Sequence, residues 1–187
     1  MPIDFFNAPC AKTDCHCKSP GVVCGKTTMN KEFGLCDDPP PAKFPAYIQE
    51  YRPDDWIARV ENPHLKSITF KAIDNCVELL RSDGKLENRC DGALLYQNKL
   101  TFVELKDRVS DGWLASAMNQ LISTIAGFVE NHDKSEFELT QAYVCNKQRP
   151  YAITSIRDEI QQFKKTTSNL LDNNGLMLEV NRVIHFY

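Results

Sequence analysis

The stretch CDGALLYQNKLTFVELKD, residues 90–107, decides the fold because it contains two β-strand patterns and the turn between them. Both apolar runs are rich in leucine and aromatic or β-branched residues, and the polar residues 97–99 separate them. Asp91 precedes the first run, whereas Glu104 and Lys106 stand inside the second, where a core strand would carry valine or isoleucine. Because an unpaired charge is costly to bury, these three residues need a chemical or structural reason.

The alternation of side chains along a strand places Glu104 and Lys106 on the same face. A two-residue loop at 97–98 would set Asp91 directly opposite Glu104 on the neighbouring strand. A three-residue loop would shift the register by one and turn Asp91 to the other face. The sequence therefore predicts a two-residue loop, with two carboxylates and a lysine on one face of the sheet.

Two carboxylates that face each other repel unless a proton or a cation lies between them. Such an oxygen-rich pair suits Mg²⁺ or Mn²⁺, which keep several waters and complete their shell with substrate phosphate. A neighbouring lysine can hold or deprotonate an attacking water, or neutralise charge on the phosphorus centre. The alternative interpretation is a solvent-facing strand on which Glu104 and Lys106 are ordinary surface charges.

The spacing of Asp91 and the Glu104-x-Lys106 triplet, on a strand meander before a long helix, resembles the PD-(D/E)xK nuclease superfamily. The resemblance covers roughly residues 67–145 and implies a restriction-endonuclease-like core. It also implies that Asp91, Glu104 and the carbonyl of Leu105 bind Mg²⁺ or Mn²⁺, and that Lys106 is catalytic.

Some members of this superfamily carry a glutamine that projects from the next helix into the active site, and Gln120 matches it. A plain surface amide is the other interpretation of Gln120, because it borders the apolar stripe of that helix. The chain departs from the family at Cys90, where the family has a proline before the first aspartate. The family often adds an upstream acidic residue, for which Glu50 and Glu61 are both candidates.

The remaining patterns predict an α/β domain over residues 46–187, with a mixed central sheet flanked by helices. The clearest element is the helix within residues 110–133, whose apolar residues recur at i, i+3 and i+4. The other expected elements are helical turns at 46–51 and 54–62, one or two strands within 67–80 with a helix as the alternative, a strand at 137–145, a second helix within 154–171, and a strand or hairpin at 176–187.

The first 38 residues form a separate cysteine-rich element in this interpretation, and the proline-rich residues 39–45 link it to the main domain. Clustered thiols in a reducing compartment are typical of a metal site, so a structural zinc ion is expected. The alternative is a set of free thiols on a small loop region. The five cysteines are Cys10, Cys15, Cys17, Cys24 and Cys36.

The composition is that of a globular protein, with 42% hydrophobic and 25% charged residues among 187. No apolar run approaches the ~20 residues that span a bilayer, and residues 1–10 lack a signal-peptide pattern, so a cytoplasmic protein without disulfides is expected. The formal charge of −3 is not that of a protein coated in basic surface. Any contact with nucleic acid should therefore lie in a local groove.

Taken with the resemblance, these patterns predict a metal-dependent nuclease that hydrolyses DNA more readily than RNA, as part of a defence or repair system. Its small size suggests that it acts with a protein partner or as a homodimer. The alternative is a non-enzymatic immunity or adaptor protein on the same fold, which would bind a protein partner through the cysteine-rich element.

Overall fold

The computed structural model describes residues 3–6, 24–39, 41–42, 44–81, 83–108, 111–148 and 156–187. These ranges contain ten strands and two α-helices. The strands are β1 (Gly25–Thr28), β2 (Glu32–Cys36), β3 (Tyr47–Gln49), β4 (Ala58–Glu61), β5 (Ile68–Ala72), β6 (Gly92–Tyr96), β7 (Lys99–Lys106), β8 (Glu138–Asn146), β9 (Met177–Val180) and β10 (Val183–His185), and the helices are α1 (Trp113–Asn131) and α2 (Arg157–Leu171).

A six-stranded mixed sheet forms the centre of the molecule, in the order β1-β5-β6-β7-β8-β9. Strands β5, β6 and β7 form an antiparallel meander, whereas β7, β8 and β9 run parallel. Parallel neighbours need a crossover connection, and α1 and α2 occupy those two connections. The predicted mixed sheet and α/β class are confirmed.

Both helices pack on one face of this sheet, as the apolar stripe of α1 predicts. The stripe is buried against alternate residues of the strands, among them Phe102 and Val144. The α1 residues buried in this layer are Trp113, Leu114, Ala117, Met118, Leu121, Ile125 and Phe128, and Phe163 and Leu171 of α2 join them.

A second, four-stranded sheet covers the opposite face, in the order β10-β4-β2-β3. Its apolar side chains meet the residues of the central sheet that point away from the helices, such as Val103 and Leu105. The helical turns expected at 46–51 and 54–62 are therefore wrong, because these segments contain β3 and β4. In β4, Ala58 and Val60 are buried whereas Arg59 and Glu61 are not, a period of two that belongs to a strand.

The described part of the cysteine-rich element is built into both sheets. Strand β1 pairs with β5, and β2 pairs with β3 and β4, so residues on both sides of the expected boundary share these sheets. A disulfide joins Cys24 at the start of β1 to Cys76 in the turn after β5, with Cα atoms 6.4 Å apart. The expectation of a fold without disulfides is wrong for this pair. Among the described residues, neither helix is both long and apolar enough to cross a bilayer.

Candidate active site

The loop between β6 and β7 has the two residues that the sequence predicts. Tyr96 pairs with Lys99, and the register continues back to Gly92 opposite Val103. Gln97 takes a positive φ of 54°, as the tight hairpin turns that suit the twist of two strands require. The next pair in this register is Asp91 with Glu104, so the predicted geometry is confirmed.

Two hydrogen bonds join Asp91 to the strand that carries Glu104. The backbone N–H of Asp91 donates to Glu104 Oε2 at 3.2 Å, and the backbone N–H of Leu105 donates to Asp91 Oδ2 at 2.6 Å. Asp91 is 8% exposed and Glu104 is fully buried. Each carboxylate is thus fixed by the other strand, and solvent barely reaches the pair.

Lys106 and Gln120 extend this arrangement towards α1. The Lys106 ammonium forms an ion pair with Glu104 Oε1 and donates to Gln120 Oε1 at 2.8 Å. The amide of Gln120 in turn donates to the carbonyl of Arg89 at 2.9 Å. The structure therefore brings together all four of the side chains expected at the site, and Gln120 contacts Lys106 directly.

Burial sets the electrostatics of the carboxylate pair. It raises the pKa of Asp91 well above the ordinary value, and the neighbouring charges of Glu104 and Asp37 raise it further. Burial also raises the pKa of Glu104 to about 7, although the Lys106 charge and hydrogen bond oppose that shift. Without a cation, the pair therefore favours a bound proton at neutral pH.

Asp37 and Asp74 are acidic neighbours that the sequence did not indicate. Their charges act on the pair from outside the strand meander, Asp37 on Asp91 and Asp74 on Glu104. Burial is the main cause that raises the pKa of Asp37 to about 6, and the charge of Asp74 is the second cause. Asp74 also binds the Arg89 side chain, at 3.2 Å from Nε and 2.8 Å from Nη2. Asp37 precedes the proline-rich segment and Asp74 lies in a turn, so no strand or helix pattern links them to the motif.

Neither expected candidate for the upstream acidic residue lies at the site. Glu50 accepts a hydrogen bond from Thr28 at 2.8 Å and pairs with Lys26 at 3.0 Å. Glu61 pairs with Arg59 at 3.1 Å on β4, in the second sheet. Both carboxylates are thus engaged elsewhere, and Asp37 and Asp74 act on the site instead.

A polar groove of about 650 Å³ opens beside Lys106 and Gln120. Its lining includes two cationic side chains and no carboxylate. The lining residues are Asn88, Lys106, Arg108, Ser116, Asn119 and Gln120. The groove therefore gives an anion access to the lysine from the side of α1.

The expected zinc ligands are not assembled within the described residues. Cys24 is bonded to Cys76, so its sulfur is not available as a thiolate. Burial raises the pKa of Cys36 to about 11, which keeps that thiol protonated, and its Sγ lies 3.6 Å from the Asp55 carbonyl. Cys10, Cys15 and Cys17 lie outside the described residues.

No group of three or more His, Cys, Asp or Glu side chains in the described ranges is close enough to hold a metal ion by itself. A metal ion at the carboxylate pair would therefore need further ligands besides these described side chains. Comparison with known proteins adds no assignment, since no family model, curated protein or solved structure matches this chain.

Proposed function

We propose that this chain is a metal-dependent nuclease of the PD-(D/E)xK type, and that it acts on DNA in preference to RNA. One observation carries the proposal. Asp91, Glu104 and Lys106 meet at one end of a mostly apolar strand pair, and Gln120 of α1 holds the lysine. A structural role alone would be met at lower cost by apolar residues at the buried positions.

The donor set fits Mg²⁺ or Mn²⁺. Two carboxylates with raised pKa values are costly to ionise, and a divalent cation between them would offset that cost. Asp91 Oδ1 accepts no hydrogen bond from any described residue, so one oxygen of the pair is available to an ion. Hard oxygen ligands, with water and phosphate completing the shell, are what Mg²⁺ prefers. The Leu105 carbonyl remains a further proposed ligand.

A divalent ion held by Asp91 and Glu104 would supply Lewis-acid stabilisation of the charge that develops on a phosphodiester. Lys106 is the side chain of the protein that would act on the attacking water or the phosphate. Its ammonium has three N–H donors, of which Glu104 and Gln120 occupy two. The third can orient an attacking water or contact a phosphate oxygen. Gln120 is a positioning residue, because it accepts a hydrogen bond from the lysine and its own amide donates to the Arg89 carbonyl.

The proposal is tested by cleavage of plasmid and of single-stranded DNA and RNA with Mg²⁺ or Mn²⁺, comparing wild type with Asp91→Ala and Lys106→Ala. We expect loss of at least 100-fold in each variant, because each removes a group that acts on the reacting atoms. Lys99→Ala is the matched control, since Lys99 lies at the opposite end of the same strand. It should cleave as wild type does.

Equal cleavage by wild type, Asp91→Ala and Lys106→Ala would overturn the proposal, because a contaminant would then explain the activity. A folded wild type that cleaves none of these substrates with either ion would also overturn it. The adaptor or immunity alternative would then be the better one.

We also propose a zinc site in the N-terminal region, now reduced to Cys10, Cys15 and Cys17 as sulfur ligands. Either His16 or a residue from elsewhere would supply the fourth ligand of a tetrahedral site. Metal analysis of the purified chain should find one equivalent of zinc that is lost in a Cys15→Ser, Cys17→Ser double variant. A folded wild-type preparation without zinc would show that these are plain thiols.

A further inference from the structure

The groove beside Lys106 contains a second cation that the proposed chemistry does not use. Lys106 is committed to Glu104 and Gln120, whereas the Arg108 side chain is exposed and pairs with no carboxylate in the part of the chain that the structure describes. The acidic residue between them, Asp107, is held by the Gln148 side chain, which donates to Asp107 Oδ1 at 2.9 Å. Arg108 thus places a guanidinium, which has no counter-ion among the described residues, at the wall of an open polar groove.

The backbone of Arg108 is fixed although it lies beyond the end of β7. Its carbonyl accepts a hydrogen bond of 2.8 Å from the side-chain amide of Asn146, and Asn146 is 1% exposed. Gln148 Nε2 also lies 3.2 Å from the carbonyl oxygen of Asp107. Two side chains from the end of β8 therefore anchor residues 107–108. An arginine on a fixed backbone loses less conformational freedom when it binds an anion.

The opposite wall of the groove also favours an anion. Ser116 and Asn119, both in the first two turns of α1, line it. Helix α1 has no acidic residue in its first turn, and its N-cap, Gly112, offers no side-chain acceptor. The first N–H groups and the helix dipole therefore add positive potential to the field of Arg108 and Lys106.

The spacing of the two cations sets which anion fits. Lys106 and Arg108 are two residues apart, so their Cα atoms are separated by at most ~7 Å. A phosphate at the carboxylate pair would contact Lys106. Arg108 would then contact the next phosphate along the nucleic-acid strand. A guanidinium suits that task because its planar donors bind a phosphate with two hydrogen bonds.

We propose that Arg108 binds the phosphate that neighbours the scissile one, so that the substrate is a polynucleotide strand with at least two consecutive phosphates. This inference rests on the proposed nuclease function. It makes Arg108 a substrate-binding residue and names the groove between β7 and α1 as the path of the strand. A mononucleotide or a lone phosphodiester would lack the second contact.

The test uses DNA oligonucleotides in which a neutral methylphosphonate replaces one phosphate at a time around the cleaved bond. For wild type, kcat/KM should fall about tenfold when the neutral linkage occupies one particular position next to the cleaved bond, since one charged hydrogen-bonded contact is lost. Arg108→Ala should lose about as much on the unmodified strand, chiefly in KM, and lose nothing more on the modified one. Arg157→Ala, an exposed arginine on α2 that does not line the groove, is the control.

A binding measurement separates this inference from the nuclease proposal. In EDTA, the slope of log K against log salt for single-stranded DNA should be about 0.7 shallower for Arg108→Ala than for wild type or Arg157→Ala. An unchanged slope together with unchanged kcat/KM in an active enzyme would overturn the role of Arg108 and leave the nuclease standing. Binding that depends on Arg108 without any cleavage would support the groove and overturn the nuclease. Neither binding nor cleavage would overturn both.

Discussion

The buried carboxylate of Glu104 should make the metal-free protein less stable as the pH rises. Burial raises its pKa from 4.5 to about 7, so the folded state holds the proton more tightly than the unfolded chain does. This stabilisation is fully present below pH 4.5 and is lost as the pH rises through 7. The rise in the pKa of Glu104 from 4.5 to about 7 corresponds to about 3 kcal/mol in the free energy of unfolding.

The assay is urea unfolding of the metal-free protein in EDTA at pH 5 and pH 8. Wild type should lose about 2–3 kcal/mol from Glu104 over this range, and Asp91, whose pKa is also raised, changes stability in the same direction. Glu104→Gln removes this titrating group. The variant should therefore lose less free energy of unfolding between pH 5 and pH 8 than wild type does, by about the contribution of Glu104. Glu138→Gln, an exposed carboxylate on β8, should behave as wild type does.

The difference in the free energy of unfolding between wild type and Glu104→Gln should change from pH 5 to pH 8. An unchanged difference would refute the reasoning, because Glu104 would then titrate alike in the folded and unfolded states. Addition of Mg²⁺ supplies an independent reading. The ion binds the deprotonated pair, so it should restore stability at pH 8 far more than at pH 5. Glu104→Gln should lose most of that rescue.

Three further predictions concern the fold and are checked by chemical denaturation. Replacing both Cys24 and Cys76 by serine should lower the free energy of unfolding by about 4 kcal/mol, since the disulfide closes a loop across 52 positions, and reductant should destabilise wild type but not this variant. Gly34→Ala should destabilise by about 1–3 kcal/mol, because its Cβ would overlap the Trp56 ring, and a neutral result would show that this ring shifts freely. Asn62→Ala should lose about 2–3 kcal/mol, because the fully buried Asn62 side chain makes three hydrogen bonds to the backbone, and a loss under 0.5 kcal/mol would contradict their importance.

The local parts of the site could be predicted from the sequence. The position of Asp91 opposite Glu104 depends only on the length of one loop and on the alternation of side chains, which are both visible in residues 90–107. The packing of α1 on the sheet follows from the apolar stripe of this helix. Gln120 borders that stripe, one residue before the buried Leu121. Such relations involve neighbouring elements, so periodicity is enough to find them.

The non-local parts could not be predicted in this way. Short segments such as β4 carry too few residues to separate a strand from a helical turn, and their pairing with β2 decides the outcome. Asp37 and Asp74 reach the site only because the second sheet and the turn after β5 fold back on it. The disulfide could not be predicted for the same reason, since Cys76 stands alone in the sequence.

The parallel pairing of β10 with β4 bears on how the chain folds. Val183 lies opposite Arg59, so this pair closes a loop that contains the whole meander and both helices. Contacts between distant residues form slowly, because the entropy of closing a long loop must be overcome first. The β6–β7 hairpin, by contrast, needs only a two-residue turn. We therefore expect the strands that carry Asp91 and Glu104 to pair early, and the sheet behind them to be completed in the slowest step.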